Sequence, residues 1–265
     1  METKINNIRI KSVPSEWDVY FDMALVMLDE IMKNNAAGKK TVMIVPVGPT
    51  QQYPILARLV NQLRVPLHDV HFFNMDEYLV SPSEEVAYTD PISFHYRMQH
   101  EFYDLVDKEL VMPESQRHFP KPGCEAEYDA LIEALGGVDL CLGGLGINGH
   151  LAFNEPPEAD CPMSAEAFGA LGTRVLPISR ETKTINAYGY QRGDLRGMPE
   201  WCITVGMKQI LASKRVYIAL NRPWQHGIFK HVIGDTPTAA IPASLLQRHG
   251  DVLFCAAADI LEGLF

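Results

Sequence analysis

The sequence has 265 residues, 47% of them hydrophobic, and its 33 acidic and 23 basic side chains give a formal net charge of -10. This length and apolar content suit one large domain over residues 1–265, and the acidic balance argues against nucleic acid or an acidic membrane as a partner, leaving a small molecule. Five scattered cysteines indicate neither a disulfide framework nor a zinc site, and the absence of a signal core or bilayer-spanning run predicts a cytoplasmic protein.

Short apolar runs alternate with segments of helical period along the chain. Apolar spacing predicts a helix over residues 16–34, and the next apolar run predicts a buried strand over Thr41–Val45. Further strands are predicted at residues 70–74, 138–142, 215–220 and 252–256. This alternation is typical of the α/β class, with a doubly wound, mainly parallel sheet covered by helices on both faces. Residues 156–162 and 188–199 are irregular and are predicted to form loops over a site.

Three of the predicted strands end in residues that could form a site. Ligands of open α/β sheets collect beyond the carboxyl ends of the strands, so we expect these segments to converge. The first is the turn Gly48-Pro49-Thr50, which opens a helix whose free N–H groups suit a phosphate; an ordinary strand-to-helix turn is the alternative. The second contains Asp76 and Glu77, where one carboxylate could act as a base, although adjacent acids are often only solvated.

The third segment runs from residue 143 to residue 156 with the sequence Gly-Gly-Leu-Gly-Ile-Asn-Gly-His-Leu-Ala-Phe-Asn-Glu-Pro. Its glycines, Gly144 and Gly146 among them, let the backbone approach a ligand, while His150 and Glu155 supply a proton shuttle and an orienting carboxylate. A core histidine is the alternative for His150. The segment also matches the dinucleotide fingerprint, but the prolines that follow would break the required helix. No cofactor is therefore expected.

These residues carry a resemblance to the glucosamine-6-phosphate deaminase/isomerase family. The matching motifs are Asn-Met-Asp-Glu-Tyr at 74–78, the segment at 143–156, Thr-Val-Gly at 204–206 and Ile-Pro-Ala-Ser-Leu-Leu-Gln-x-His at 241–249. The Phe-Asn-Glu-Pro ending separates this family from the sister 6-phosphogluconolactonases. The resemblance implies a modified Rossmann-like sheet and a metal-free conversion of an amino sugar phosphate to a ketose phosphate with release of ammonia. The family includes monomers and hexamers, so a homo-oligomer is one of the expected states.

The resemblance also implies roles for individual residues. Asp76 matches the base that moves the C2 proton, and His150 matches the group that opens the sugar ring by moving a proton between O1 and O5. Glu155 matches the carboxylate that orients the imidazole. Asn148 stands where the family usually has an Asp, and it can hydrogen-bond the ring without stabilising an imidazolium by charge. The predicted substrate-binding residues are Gly48, Pro49, Thr50, Glu77, Gly144, Gly146, Arg192 and Arg222.

The phosphate site departs from the family pattern. Pro49 removes a backbone N–H from the phosphate loop, and Gly189 and Trp224 occupy the positions of the family's phosphate-binding Arg and Lys. Arg192 and Arg222 lie close by in sequence and are the candidates to replace them, so the sugar either keeps its 6-phosphate or carries another group at C6. Two alternatives stay open: a sugar lactonase in which His150 activates water, and a non-catalytic sugar-binding paralogue.

Overall fold

The computed structural model describes residues 2–264. The strands in this range are β1 (Glu2–Ile5), β2 (Ile8–Val13), β3 (Thr41–Val45), β4 (Val70–Asn74), β5 (Asp76–Ser81), β6 (Glu84–Glu85), β7 (Arg117–His118), β8 (Leu140–Gly144), β9 (Arg174–Pro177), β10 (Trp201–Thr204), β11 (Arg215–Leu220) and β12 (Val252–Ala257). The α-helices are α1 (Glu16–Ala36), α2 (Gln52–Leu63), α3 (Phe94–Glu101), α4 (Glu125–Ala134), α5 (Ala165–Gly169), α6 (Arg180–Tyr190), α7 (Met207–Ala212), α8 (Gln225–Gly234) and α9 (Ala258–Leu261).

The central sheet has eight strands in the order β1-β2-β12-β11-β8-β3-β4-β7. Every neighbouring pair is parallel except β1 and β2, which form an antiparallel hairpin. Strands β3, β4 and β12 are buried along their whole length, as expected for parallel strands whose two faces are both covered. Helices flank this sheet. The predicted α/β class with a mainly parallel sheet is confirmed.

Helix α1 shows how the local sequence supports this packing. Ser15 caps its first turn in a capping box with Asp18, which satisfies backbone N–H groups that would otherwise lack partners. Its buried face carries Val19, Met23 and Met27 and packs against β11 and β12. None of the helices between residues 2 and 264 is long and apolar enough to cross a membrane.

Several boundaries differ from the sequence prediction. The strand predicted at 138–142 lies at Leu140–Gly144, because Gly143 and Gly144 pair with β11 and so stay extended rather than opening the turn. The loop predicted at 188–199 begins later, since α6 continues through Gly189 to residue 190. The sequence also gave no sign of a second, antiparallel sheet in the order β6-β5-β10-β9, whose strands are only two to six residues long.

Candidate functional site

A cavity of about 980 Å³ lies beyond the carboxyl ends of β3, β4 and β8. Strands β3 and β8 are neighbours, but the chain leaves β3 toward β4 on one side, while β11 lies on the far side of β8. The loops after the two strands therefore diverge and leave a crevice, which is where open α/β sheets bind ligands. The three segments predicted to converge all line this cavity: the turn 48–50, Asp76, and the glycine-rich segment with His150.

The two glycine-containing loops meet closely. A Cβ added at Gly144 would lie 3.0 Å from the carbonyl oxygen of Gly48. A Cβ at Gly146 would lie 2.1 Å from the ring of His150, so any other residue there would displace the imidazole. Gly144 and Gly146 thus hold the cavity wall and the histidine in place, and both line the cavity themselves.

Asp76 stands at the start of β5, paired in register with Thr204 of β10. Its side chain is buried and lines the cavity, and it accepts no hydrogen bond from the backbone and side chains that the structure describes. Burial, followed by the negative charge of Glu77, raises the pKa of Asp76 well above its ordinary value. A carboxyl group with a raised pKa that faces an open cavity is suited to exchange a proton with a ligand.

Glu77, predicted as a substrate-binding residue, does not belong to the cavity wall among the described residues. Side chains alternate along a strand, so Glu77 points to the face opposite Asp76. Its carboxylate accepts hydrogen bonds from the backbone N–H groups of Tyr78, Phe94 and His95 and from the Ser93 hydroxyl, at 2.8–2.9 Å. Burial raises the pKa of Glu77 to about 7, although these bonds act in the opposite direction. Glu77 therefore connects the start of α3 to β5 through hydrogen bonds.

His150, Asn148 and Glu155 form a hydrogen-bonded chain beside the cavity. Asn148 donates from Nδ2 to Glu155 Oε2 at 2.6 Å, and its Oδ1 lies 2.7 Å from His150 Nδ1. Because a carboxylate only accepts, the amide nitrogen must face Glu155, and Asn148 must then accept the proton of Nδ1. This leaves Nε2 as the ring nitrogen without a proton. The direct distance from His150 Nδ1 to Glu155 Oε2 is 3.6 Å, so Asn148 connects the pair.

The Glu155 carboxylate remains ionised despite its burial. Burial alone would raise its pKa, but His150, Asn148 and Thr182 outweigh that effect and lower the pKa to about 2. The backbone N–H of Ser179 donates to Glu155 Oε1 at 3.3 Å, and Ser179 caps α6, so the positive end of the helix dipole also faces the carboxylate. The sequence analysis missed Ser179 and Thr182, because they lie about 25 residues beyond the motif with no marker except the cap pattern.

Of the two arginines predicted to bind the substrate, only Arg222 lines the cavity among the described residues. Arg222 lines the wall beside Trp224, and its Nη1 lies 3.2 Å from Glu16 Oε2. Arg192, also predicted as a binding residue, is exposed, adopts a left-handed backbone with φ of 52°, and does not belong to the cavity wall among the described residues. Arg97, on α3, lines the cavity and was missed, since no motif in its neighbourhood marks it.

The chain is similar to known glucosamine-6-phosphate deaminases. The chain is 31% identical over 248 residues to a glucosamine-6-phosphate deaminase of Phocaeicola vulgatus, an alignment that covers 87% of this chain and 86% of the relative. It is 30% identical over 230 residues to a protein of the same name from a Thermoanaerobacter species, covering 84% of each chain. No family model matches the sequence.

Two solved structures show the same fold. A monomeric glucosamine-6-phosphate deaminase superposes with a TM-score of 0.81 at 22% identity and covers 95% of this chain and 98% of its own. A 6-phosphogluconolactonase from Trypanosoma cruzi superposes with a TM-score of 0.71 at 18% identity and covers 100% and 98%. At these identities the superpositions establish the fold and leave the chemistry to the site itself.

Proposed function

The chain belongs to the glucosamine-6-phosphate deaminase family, and we propose that it isomerises and deaminates an amino sugar phosphate or a closely related sugar, with release of ammonia. The observation that carries the proposal is that two proton-transfer groups, a carboxyl and an imidazole, face one cavity. A buried carboxyl group at Asp76 faces the same cavity as an imidazole whose tautomer is fixed by Asn148 and Glu155. An aldose-to-ketose conversion needs these two proton-transfer groups at separate positions on the sugar.

We assign ring opening to His150. Its unprotonated Nε2 takes the proton from the O1 hydroxyl of the cyclic sugar and returns a proton to O5 as the C1–O5 bond breaks. The transient imidazolium is stabilised by the Glu155 charge, which reaches the ring through the Asn148 amide. One general acid–base group at this position contributes a rate factor on the order of 10² to 10⁴.

We assign the isomerisation step to Asp76. Its ionised carboxylate removes the proton at C2 of the open-chain sugar while one proton of the substrate's ammonium group passes to O1, which gives an enolamine. Asp76 then returns its proton to C1. The C2 iminium that results adds water and expels ammonia, so the overall reaction is a hydrolytic deamination that yields a ketose. The raised pKa of Asp76 strengthens it as a base, and the positive amino group of a bound substrate would favour its ionised form.

An assay of two products tests the proposal. Incubation with glucosamine 6-phosphate should release ammonia and a ketose phosphate in equal amounts. The competing activity is lactone hydrolysis, favoured by the fold shared with 6-phosphogluconolactonase, and it is measured on 6-phosphogluconolactone in parallel. Hydrolysis of the lactone without ammonia release would establish the lactonase instead, and binding of the sugar phosphate with neither reaction would establish a non-catalytic paralogue.

We further propose that this reaction takes place in the cytoplasm, on a small-molecule substrate, without a nucleic acid partner. The supporting observation is the acidic balance of the chain, with a formal net charge of -10. Subcellular fractionation would check the location, and analytical ultracentrifugation would decide between a monomer and a homo-oligomer.

A further inference from the structure

Two arginines line the cavity, and they differ in how firmly they are held. The wall formed by the described residues includes Arg97, from α3, and Arg222, from the segment between β11 and α8, and it includes no lysine. A substrate with an anionic group must find its counter-charge among these side chains and His150. The surroundings of each arginine therefore indicate where that group binds.

Arg97 is docked on the turn that follows β3. Its Nη2 donates to the Thr50 hydroxyl at 3.0 Å, its Nη1 donates to the Val47 carbonyl at 3.4 Å, and its Nε donates to Glu101 at 3.0 Å. Only 15% of the Arg97 side chain is exposed. The guanidinium is therefore fixed in orientation and partly desolvated before any ligand arrives, and both conditions strengthen a charge-assisted hydrogen bond to an oxyanion.

Thr50 adds two features to this position. Its hydroxyl is buried and lines the cavity, and Thr50 lies two residues before α2 begins. No side chain caps that helix, but the Tyr53 N–H is bonded to the Thr50 carbonyl and Pro54 has no N–H, so the start of α2 contributes chiefly the positive end of its dipole. Pro49 has no backbone N–H to donate to an anion at this turn. The Arg97 guanidinium, which belongs to α3, supplies a positive charge there instead.

Arg222 is a weaker anion ligand by the same criteria. More than half of its side chain is exposed, at 55%, and its ion pair with Glu16 is open to solvent, with 38% of the Glu16 side chain exposed. Charges in such a position are screened by water and salt. Each arginine pairs with a carboxylate, Glu16 for Arg222 and Glu101 for Arg97, so the difference in exposure decides between them.

We propose that Arg97, together with the Thr50 hydroxyl and the start of α2, binds the phosphate monoester of the sugar substrate, and that Arg222 plays the smaller part. The inference rests on the proposed function for the reaction, but the binding site itself does not depend on catalysis. Glu101 holds the guanidinium from its Nε side and thereby turns its other edge toward the Thr50 turn. The phosphorylated end of the sugar then lies at Arg97 while the reacting carbons face Asp76 and His150.

The substitution Arg97→Met tests this placement, because it keeps much of the side-chain length and removes the charge. We expect the KM for glucosamine 6-phosphate to rise about 10- to 100-fold with a smaller change in kcat, the range for lost hydrogen bonds to a charged group. The preference for glucosamine 6-phosphate over glucosamine should fall by the same factor. Arg97→Lys should recover only part of the loss, since an ammonium cannot reproduce the planar fork.

Two further substitutions serve as comparisons. Arg248 pairs with Glu166 at 2.8 Å and does not line the cavity among the described residues, so Arg248→Met should leave the KM unchanged. Thr50→Val removes the hydroxyl without changing the charge and should raise the KM about 3- to 10-fold. It also provides the test if Arg97→Met fails to fold. An unchanged KM for the phosphorylated sugar in a folded Arg97→Met, or in Thr50→Val, would overturn the proposal.

Binding of inorganic phosphate separates this inference from the proposed reaction. Isothermal titration calorimetry should detect phosphate binding to the wild-type protein that is lost in Arg97→Met and retained in Arg248→Met. If that pattern holds but no ammonia is released, the anion site stands and the proposed reaction fails. If ammonia is released but phosphate binding does not depend on Arg97, the reaction stands and the anion site is wrong.

Discussion

The residues proposed for the chemistry are buried and shielded from water, whereas the two arginines of the cavity wall differ widely in exposure. The chemical residues are Asp76, Asn148, His150 and Glu155, and the wall arginines are Arg97 and Arg222. Side-chain exposure is 12% for His150 and 8% for Glu155, against 15% for Arg97 and 55% for Arg222. Because electrostatic interactions strengthen as water is excluded, the effect of a substitution should decrease in the same order.

The two groups also differ in how they are assembled. Among the chemical residues, Asn148, His150 and Glu155 lie within a stretch of eight residues in the loop after β8, and Asp76 follows β4. The wall arginines, Arg97 and Arg222, come from elements more than 100 residues apart in sequence. A local motif fixes the histidine and its partners together, while the cations that select a substrate can change independently of them.

The largest effect is expected at the most buried proton-transfer group. Asp76→Asn removes the base, so turnover should fall by a factor on the order of 10² to 10⁴ while substrate binding is retained. Exchange of the C2 proton of the substrate with solvent deuterium, followed by NMR, checks the step directly. Exchange at a rate near that of the wild-type protein would show that another group removes the proton.

Glu77→Gln is the matched control for that experiment, because Glu77 is adjacent and buried but lies outside the cavity wall of the described residues. An amide in its place cannot accept all of the hydrogen bonds at the start of α3. The free energy of unfolding should fall by about 1–3 kcal/mol, the cost of leaving buried donors unpaired. C2 proton exchange by the folded protein should continue.

Glu155→Gln should give the next largest effect. The substitution removes the charge that stabilises the imidazolium during ring opening. Turnover of the cyclic sugar should therefore fall about tenfold or more, since a loss of stabilisation equivalent to one pKa unit corresponds to a factor of 10. A substrate locked in the open-chain form bypasses that step and should be affected less. Equal losses on both substrates would assign Glu155 to another step. Glu158→Gln, at an exposed position in the same loop, is the control.

The pH dependence of protein stability should show the effect of the Glu155 carboxylate. The pKa of Glu155 is lowered to about 2 in the folded state, whereas it is near 4.5 in the unfolded chain. The stabilising contribution of Glu155 is therefore complete above pH 4.5 and is lost as the pH falls toward 2. Urea unfolding of wild-type protein and Glu155→Gln should therefore differ most above pH 5 and converge in acid. A difference that persists unchanged at pH 3 would contradict the lowered pKa.

Asn148→Asp should change the pH dependence more than the maximal rate. A second carboxylate beside His150 stabilises the imidazolium, so the acid limb of the kcat/KM profile should move to higher pH by about one unit. The same substitution at Asn221, another residue of the cavity wall, whose amide donates to the Tyr20 hydroxyl, should not move that limb. A shift of equal size in both variants would indicate a general field effect and not a specific contact.

The same contrast explains what could be predicted from the sequence. The parallel strands have apolar runs long enough to recognise, and Asp76, His150 and Glu155 lie in or next to such runs, so their convergence follows from the topology. The second sheet could not be predicted, because β9 and β10 are only four residues long and depend on tertiary pairing. Arg97 could not be identified, since only the packing of α3 on the Thr50 turn gives it a role.

The smallest effect is expected at Arg222. Exposed ion pairs contribute about 0.2–1 kcal/mol, so Arg222→Ala should raise the KM for glucosamine 6-phosphate by no more than about fivefold. Glu16→Gln releases Arg222 from its carboxylate partner and should lower that KM about twofold, for the same reason. Both changes in KM should become smaller in 0.5 M salt, where charges near the surface are screened. The increase in KM caused by Arg97→Met should largely remain, because the Arg97 side chain is only 15% exposed. A tenfold or larger increase in KM for Arg222→Ala that survives high salt would reverse the comparison and place the phosphate at the exposed arginine.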